Sequence, residues 1–155
     1  MTEKKDHPGV IAPPPLIFLS GLLFGALITW FYPVTLLPGG LAVLLGNLLL
    51  LGGIAVIALA YLHMKKAKTN IEPWKPTTRI LDSGLYRFSR NPIYVGMIAI
   101  YLGVTCLFNS VWFLPFLPLV LLVVHYGVIL REEKYLENKF GEEYLDYQKR
   151  VRRWI

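Results

Sequence analysis

The sequence predicts an all-α integral membrane protein with four transmembrane helices, a cytoplasmic loop and C-terminal amphipathic helices. No Asp, Glu, Lys or Arg occurs in residues 7–64 or 91–130, so the 16 basic and 10 acidic residues fall into two tails and one loop. Hydrophobic residues make up 55% of the chain and charged residues 17%, against roughly 25% charged in soluble proteins. A soluble domain of 155 residues would spread its charges over its surface, so lipid is expected to surround most of this chain.

Each charge-free stretch has room for two membrane spans, because a spanning helix needs roughly 20 apolar residues. The predicted spans are residues 16–32, 41–64, 92–108 and 111–130. Proline and glycine residues between positions 33 and 40 predict the first turn, and Asn109 with Ser110 predicts a tight second turn. The single domain, residues 1–155, then consists of a flexible proline-rich tail (1–15), two scaffold helices (16–64) and a cofactor-binding half (65–155).

The basic residues predict the orientation in the membrane. The two short turns carry no charge, whereas the loop of residues 65–90 and the tail of residues 131–155 hold seven Lys or Arg each. The positive-inside rule therefore predicts a multi-pass protein with both termini cytoplasmic, in the inner or plasma membrane if the chain is bacterial. The formal net charge of +6 suits contact with anionic lipid headgroups. A nucleic-acid partner is not expected, and the oligomeric state is left open.

The loop of residues 65–90 is too long and too aromatic to be a mere connector. A turn between two spans needs about six residues, whereas this segment has 26. It contains Trp74, Tyr86 and Phe88 among its turn residues. Long ordered loops are often functional, so we expect this one to take part in a site.

Asn91 and Pro92 predict the start of the third helix. Asn is expected to cap the free backbone N–H groups, and Pro at the first helical position loses no hydrogen bond. With Arg87 and Arg90 beside it, this helix start is a candidate anion site. Ordinary capping next to positive-inside arginines is the alternative interpretation.

The C-terminal tail has the pattern of an amphipathic helix. Apolar and aromatic residues recur there at steps of three and four: Leu136, Phe140, Tyr144, Tyr147 and Val151. Gly141 predicts a break into two pieces, since glycine commonly ends helices. The tail is expected to lie flat on the membrane or to fold under the bundle.

A polar cluster is predicted at the cytoplasmic end of the fourth span. His125 lies inside that span, and Glu132, seven residues on, falls on the same face of a regular α-helix. Glu133 follows directly. Ionisable residues within spans usually face the bundle interior or a wet cavity, which favours a functional cluster here. The alternative interpretation, equally open, is that His125 is merely hydrogen-bonded and that the two glutamates are solvated. Cys106 is the single cysteine and permits no internal disulfide, and no metal site is predicted.

Two segments resemble a known family. Residues 76–96 read PTTRILDSGLYRFSRNPIYVG, and residues 131–154 read REEKYLENKFGEEYLDYQKRVRRW. Together, in this order and separated by a helical hairpin, they resemble the isoprenylcysteine carboxyl methyltransferase and phospholipid methyltransferase family of integral membrane enzymes. The resemblance covers about residues 70–155, and the N-terminal half is similar only as apolar helices.

The resemblance implies a methyltransferase that uses S-adenosylmethionine, leaving S-adenosylhomocysteine, in a pocket at the cytoplasmic face. The methyl acceptor would be a lipid-like or hydrophobic molecule with a carboxylate, amine or thiol. Membrane lipid would be a further partner of the protein. Glu132 would balance the ammonium of the cofactor, and Tyr86 and Tyr94 would stack on adenine or face the sulfonium. The implied cofactor contacts are Thr78, Arg79, Ile80, Leu81, Tyr86, Arg90, Asn91, Pro92, Ile93, Tyr94 and Glu132.

Two positions depart from the family pattern. Asn91 stands where many members have His, and it keeps the capping role. Val128 occupies the register of an arginine that, in prenylcysteine enzymes, is thought to hold the substrate carboxylate, which weakens the expectation of a prenylcysteine substrate. As catalytic candidates, Arg131 would position a carboxylate, and His125 or Glu133 would accept the proton of an amine or thiol.

Two non-enzymatic functions stay open at this stage. His63 and His125 both lie near the cytoplasmic ends of their spans, and paired histidines in a helical bundle can ligate haem. The chain could instead be a transporter or a structural membrane subunit. No charge lies deep in any span, so the sequence offers no evident ion path.

Overall fold

A computed structural model of the chain describes residues 7–69 and 76–155. Within these ranges the fold is all-helical, and strand-like pairing is confined to an isolated bridge between Thr35 and Ser110. The predicted all-α membrane fold is confirmed. Trp74, one of the residues behind the loop prediction, lies outside the described ranges.

The described ranges contain six α-helices, joined by short turns of other helical types. The helices are α1 (Pro14–Phe31), α2 (Gly39–Lys66), α3 (Pro92–Phe108), α4 (Phe116–Val124), α5 (Leu130–Phe140) and α6 (Glu142–Arg150). The 3₁₀ turns are Gly84–Arg87 and Val111–Phe113, and a π-helical turn, His125–Ile129, joins α4 to α5.

Three helical stretches are long and apolar enough to cross a membrane: α1, α2 and the continuous run Val111–Phe140. Helix α3 is also apolar but has 17 residues. At 1.5 Å per residue it is about 26 Å long, against a hydrocarbon core of roughly 30 Å. These bounds match the four predicted spans to within a few residues, except that the last helix continues to Phe140.

Glycines bring α2 and α3 into backbone contact. A Cβ added to Gly53 would lie 2.6 Å from the carbonyl oxygen of Gly96, and one added to Gly103 would lie 2.7 Å from the backbone nitrogen of Leu50. Without side chains at these positions the two helices approach closely, which is how apolar helices gain van der Waals contact in lipid. The contact aligns the start of α3 with the end of α2, where the loop leaves the membrane.

The side chain of Asn109 makes three of the hydrogen bonds that join the turns at the opposite end of the bundle. Asn109 has φ 48°, in the left-handed region. Its amide donates to the Leu37 carbonyl at 2.9 Å and accepts from the backbone N–H groups of Leu36 and Leu37 at 3.2 and 2.9 Å. The predicted turn at Asn109 is therefore present, whereas Gly39 begins α2 and does not belong to the first turn.

The π-helical turn changes the register of everything after it. One extra residue in a turn rotates the following helix by about 100° relative to a regular α-helix. His125 and Glu132 therefore do not share a helix face, and the prediction that they do is wrong. Val128, in the same turn, is fully buried in the core with Val124 and Ile129.

The C-terminal tail folds under the bundle. Gly141, with φ 55°, separates α5 from α6 as predicted. The apolar face of the tail forms a small cluster of its own, in which Tyr144, Tyr147 and Val151 are buried against Leu136 and Phe140. Ile80 of the loop packs on the same cluster. The tail thus packs against the loop. This arrangement agrees with the predicted placement under the bundle, one of the two alternatives.

Candidate functional site

A cavity of about 330 Å³ lies between the loop, the start of α3 and helices α5 and α6. This volume falls in the range of small-molecule sites. Most of the residues predicted for cofactor binding line it, together with one predicted for catalysis. The predicted residues in its wall are Arg79, Ile80, Leu81, Tyr86, Arg90, Asn91, Pro92, Ile93, Tyr94, Glu132 and Glu133.

Glu132 presents a carboxylate to this cavity, and no cation of the described residues forms a salt bridge with it. Both of its oxygens accept from the Tyr94 hydroxyl, at 2.9 and 3.0 Å. None of the salt bridges found among the described residues includes Glu132. Because a partly buried charge is costly without an opposite charge, the cavity suits a ligand that brings a cation to this point.

Tyr86 completes an aromatic wall around Glu132. It is 8% exposed and lines the cavity together with Tyr94. Burial raises the pKa of the Tyr86 hydroxyl, and the negative charge of Glu132 raises it further. The hydroxyl therefore stays protonated at neutral pH. The Tyr147 hydroxyl donates to the Tyr86 carbonyl at 2.7 Å and fixes the loop against α6.

Glu133 points into a separate ionic cluster that fastens the C terminus. Arg153 donates to both of its oxygens, from Nε at 2.9 Å and from Nη2 at 2.8 Å. These hydrogen bonds raise the pKa of the Arg153 guanidinium. Arg90 Nη1 lies 3.2 Å from Glu133 Oε1, and both side chains are about 90% buried. With two arginines around it, Glu133 is placed to position the tail rather than to accept a proton.

The same residues hold the start of α3. The Arg90 backbone N–H donates to the Arg152 carbonyl at 2.9 Å. The sequence predicts that the Asn91 side chain caps the helix, but it does not. Instead, Asn91 donates from Nδ2 to the Arg153 carbonyl at 3.0 Å. We call the contacts of Arg90, Asn91 and Glu133 with residues 152–153 the tail clasp. The clasp forms because the tail returns to this point and offers backbone carbonyls to the Arg90 N–H and to the Asn91 side-chain amide.

The clasp predicts an unequal loss of stability. Glu133→Gln leaves Arg90 as a buried cation without a counter-charge, so we expect the free energy of unfolding to fall by about 3 kcal/mol. Arg153→Met leaves Glu133 still paired with Arg90, and the Arg153 side chain is partly exposed. We therefore expect the free energy of unfolding to fall by only about 1 kcal/mol in this variant. Thermal unfolding in detergent measures both variants. Arg152→Met, on an exposed neighbour, is the control. Equal losses in the two clasp variants would contradict this order.

Three predicted residues, Thr78, His125 and Arg131, lie outside the cavity wall. Thr78 is tied to the end of α2, with its hydroxyl donating to the Lys68 carbonyl at 3.0 Å. Arg131 is exposed and donates from Nη1 to the Gly9 carbonyl at 2.8 Å. The structure therefore places these two side chains outside the cavity that Glu132 lines.

The two histidines considered as haem ligands have separate surroundings. Nδ1 of His63 lies 2.9 Å from the Leu59 carbonyl, and a Cβ on Gly84 would overlap the same ring at Nε2. His125 packs edge-on against Tyr126 and is not part of the cavity wall. Among the residues that the structure describes, no group of three or more His, Cys, Asp or Glu is arranged to hold a metal.

The sequence matches the family described as phospholipid methyltransferase over residues 41–143. This chain belongs to that family. Family membership indicates a membrane methyltransferase and confirms the resemblance drawn from the two polar segments. The match begins at Leu41, so α2 is part of the family region and is not merely similar as an apolar helix.

One curated relative is a short protein of unknown function. An uncharacterized protein of Haemophilus influenzae is 42% identical over 64 residues, which is 41% of this chain and 100% of that protein. No solved structure gives a significant match. The family membership is therefore shown by the match to the family over residues 41–143, and not by the relative or by a solved structure.

Several residues of this cavity and of the tail clasp are not predicted from the sequence. Tyr144 and Tyr147 were recognised only as an apolar face, although they also line the cavity. Arg153 was not recognised as the partner of Glu133, and its only signal is the basic tail that follows the acidic pair. The wall also includes four prolines of the segment predicted as a flexible tail: Pro8, Pro13, Pro14 and Pro15.

Proposed function

We propose that the protein transfers a methyl group from S-adenosylmethionine to the amine of a phospholipid headgroup at the cytoplasmic membrane face. The observation that carries this proposal is the Glu132 carboxylate, which lines the cavity beside two tyrosines and has no salt-bridge partner in the part of the chain that the structure describes. The family supports methyl transfer, and the cavity supports a cationic small molecule. With seven Lys or Arg each in the loop and the tail, this end of the bundle suits the cytoplasmic side.

The residues present fit this methyl donor. Its amino-acid part carries an ammonium, for which Glu132 is the counter-charge. Its sulfonium is a second cation, and the rings of Tyr86 and Tyr94 are suited to face it. When bound, the donor would supply an already activated methyl: its sulfur–carbon bond would break with the electron pair staying on sulfur, and the lone pair of the neutral amine nitrogen, whose proton is released to water, would bond to the methyl carbon.

The chain's own contribution is alignment and the exclusion of water. Alignment lowers the barrier mainly because the two reactants lose their translational and rotational entropy on binding, before the chemical step. The tail clasp holds α6 and residues 152–153 over the loop, and Tyr147 and Tyr86 tie the same two elements together. These contacts keep the cavity walls in place around the transferred methyl.

The surroundings of Arg90, Arg131 and Val128 weaken the case for a prenylcysteine carboxylate as the acceptor. A prenylcysteine carboxylate would need a cation to hold it, but Arg90 is engaged by Glu133 and Arg131 by Gly9. Val128, at the register where prenylcysteine enzymes have an arginine, is buried in the core. Arg79 lines the cavity and is exposed, so it is available for an anionic group of the acceptor. Membership of the phospholipid methyltransferase family makes the phosphate of a lipid headgroup the candidate for that group.

Calorimetry with S-adenosylhomocysteine tests the donor site, using the purified protein in lipid nanodiscs without added acceptor. We expect one site with a dissociation constant in the micromolar range, about −8 kcal/mol. A second assay follows tritium from methyl-labelled S-adenosylmethionine into phosphatidylethanolamine. A folded protein that gives no heat with S-adenosylhomocysteine would contradict the proposal. Binding without transfer to phosphatidylethanolamine would contradict only the acceptor.

A further inference from the structure

The segment before α1 packs on the π-helical turn. The Ile11 backbone N–H donates to the Gly127 carbonyl at 3.2 Å, across 116 positions of sequence that include all four apolar helices. The Ile11 side chain lies over Gly127, since a Cβ there would come 2.7 Å from Ile11 Cγ1 and closer still to Cδ1. Arg131 adds a hydrogen bond to the Gly9 carbonyl. We call these contacts the N-terminal latch.

The π-helical turn makes this latch possible. A π turn interrupts the regular α-helical hydrogen-bond ladder, and such turns are frequent at functional sites. Here the Gly127 carbonyl accepts a hydrogen bond from outside its helix, and glycine leaves the space that Ile11 occupies. The hydrogen bonds between Tyr94 and Glu132 do not involve this contact.

The latched segment forms one wall of the cavity. Pro8, Pro13, Pro14 and Pro15 line it, and Pro14 is already the first residue of α1. Proline has a fixed φ and no N–H group, so this wall is stiff and offers no donors to the polar groups of a nucleoside. It is an apolar surface that continues directly into a membrane helix.

This wall lies outside the family region. The residues around Glu132 fall within positions 41–143, whereas the proline segment precedes them. We propose that residues 8–15 form the acceptor-selecting wall of the cavity, held in place by Ile11 and Gly127, an inference that rests on the proposed function. Ile11 and Gly127 are positioning residues: they act on the acceptor through the prolines and touch no reacting atom.

Three variants test the latch against a matched control. Gly127→Ala places a methyl in the space of Ile11, Ile11→Ala removes the side chain that fills that space, and the double variant removes the conflict. Gly52→Ala is the control, because a Cβ there meets nothing within 4 Å. The acceptors are vesicles of phosphatidylethanolamine and of its N,N-dimethyl derivative, which differ in headgroup size.

In both single variants we expect the ratio of kcat/KM for the two acceptors to change by about tenfold, mainly through KM. The Ile11 amide should exchange with deuterium about tenfold faster in Gly127→Ala. The affinity of both single variants for S-adenosylhomocysteine should stay within about twofold of wild type. The acceptor ratio of the double variant should lie closer to the wild-type ratio than that of either single variant, since residues 11 and 127 are in contact.

The outcomes separate this inference from the proposed function. Absence of S-adenosylhomocysteine binding by the wild-type protein contradicts the proposed function. Normal binding with an unchanged acceptor ratio in both single variants overturns the selecting wall, whatever the exchange rate shows. Unaltered exchange at Ile11 in Gly127→Ala overturns the latch itself. Methylation of neither lipid by a donor-binding wild type also overturns the inference.

Discussion

Glu132→Gln is expected to weaken the binding of S-adenosylhomocysteine by about 100-fold or more. The glutamine keeps the size of the side chain but removes the negative charge that faces the ligand's ammonium. Breaking one partner of a buried pair costs about 3–5 kcal/mol, and each 1.4 kcal/mol is about tenfold in affinity. Calorimetry in lipid nanodiscs measures the change, and methyl transfer to phosphatidylethanolamine should fall in parallel.

A smaller ligand shows whether the lost charge is responsible. 5′-Methylthioadenosine keeps the adenosine and the sulfur but lacks the ammonium and the carboxylate. Its affinity should therefore be nearly the same for wild type and Glu132→Gln. Glu137→Gln is the matched control, because Glu137 lies on the same helix, is exposed and is not part of the cavity wall.

Two results would contradict this role for Glu132. Equal losses of affinity for both ligands would mean that the substitution damages the cavity as a whole. Unchanged affinity for S-adenosylhomocysteine would mean that the carboxylate serves another cation, for which the ammonium of the acceptor lipid is the chemical candidate. Thermal unfolding of Glu132→Gln, measured beside the binding data, separates misfolding from a local loss.

Gly53→Val is expected to have the largest effect on stability. The added Cβ would meet the Gly96 carbonyl oxygen at 2.6 Å and the Ile100 nitrogen at 2.9 Å. These are backbone atoms, which cannot move aside as a flexible side chain can. Overpacking costs about 1–3 kcal/mol where side chains give way, so we expect at least about 3 kcal/mol here.

The neighbouring glycine provides the control for this substitution. A Cβ on Gly52 would meet nothing within 4 Å, and the residue is exposed to the membrane. Gly52→Val changes helix composition in the same way but should leave the unfolding temperature in detergent nearly unchanged. Similar unfolding temperatures for the two variants would show that α2 and α3 do not pack at the described distance.

Much of the fold was predictable because membrane partition is a local property of the chain. Whether a stretch of 20 residues prefers lipid depends on its own side chains, so the spans, the Asn109 turn and the break at Gly141 followed from sequence. The loop and the tail were expected to meet because both flank the last two spans and carry polar residues. Tyr86, Asn91 and Glu132 indeed line one cavity in the structure.

Which polar group pairs with which was not predictable in the same way. Glu132 and Glu133 are adjacent and chemically identical, yet one lines the cavity beside Tyr94 and the other binds Arg153. His125 was expected beside Glu132 from a regular helical repeat. A single π turn, for which the sequence carries no simple signal, rotates it away.

Sequence alone thus determined the class of protein: a four-helix membrane methyltransferase scaffold with its polar segments gathered at one end. That outcome needs only the hydropathy of each segment and the residues of two short motifs. The tertiary structure alone decided that the N-terminal prolines line the cavity, that the tail clasp forms and that Glu132 has no salt-bridge partner among the described residues. Those depend on hydrogen bonds between residues as far apart as Ile11 and Gly127, and such pairs form only where packing brings their backbones together.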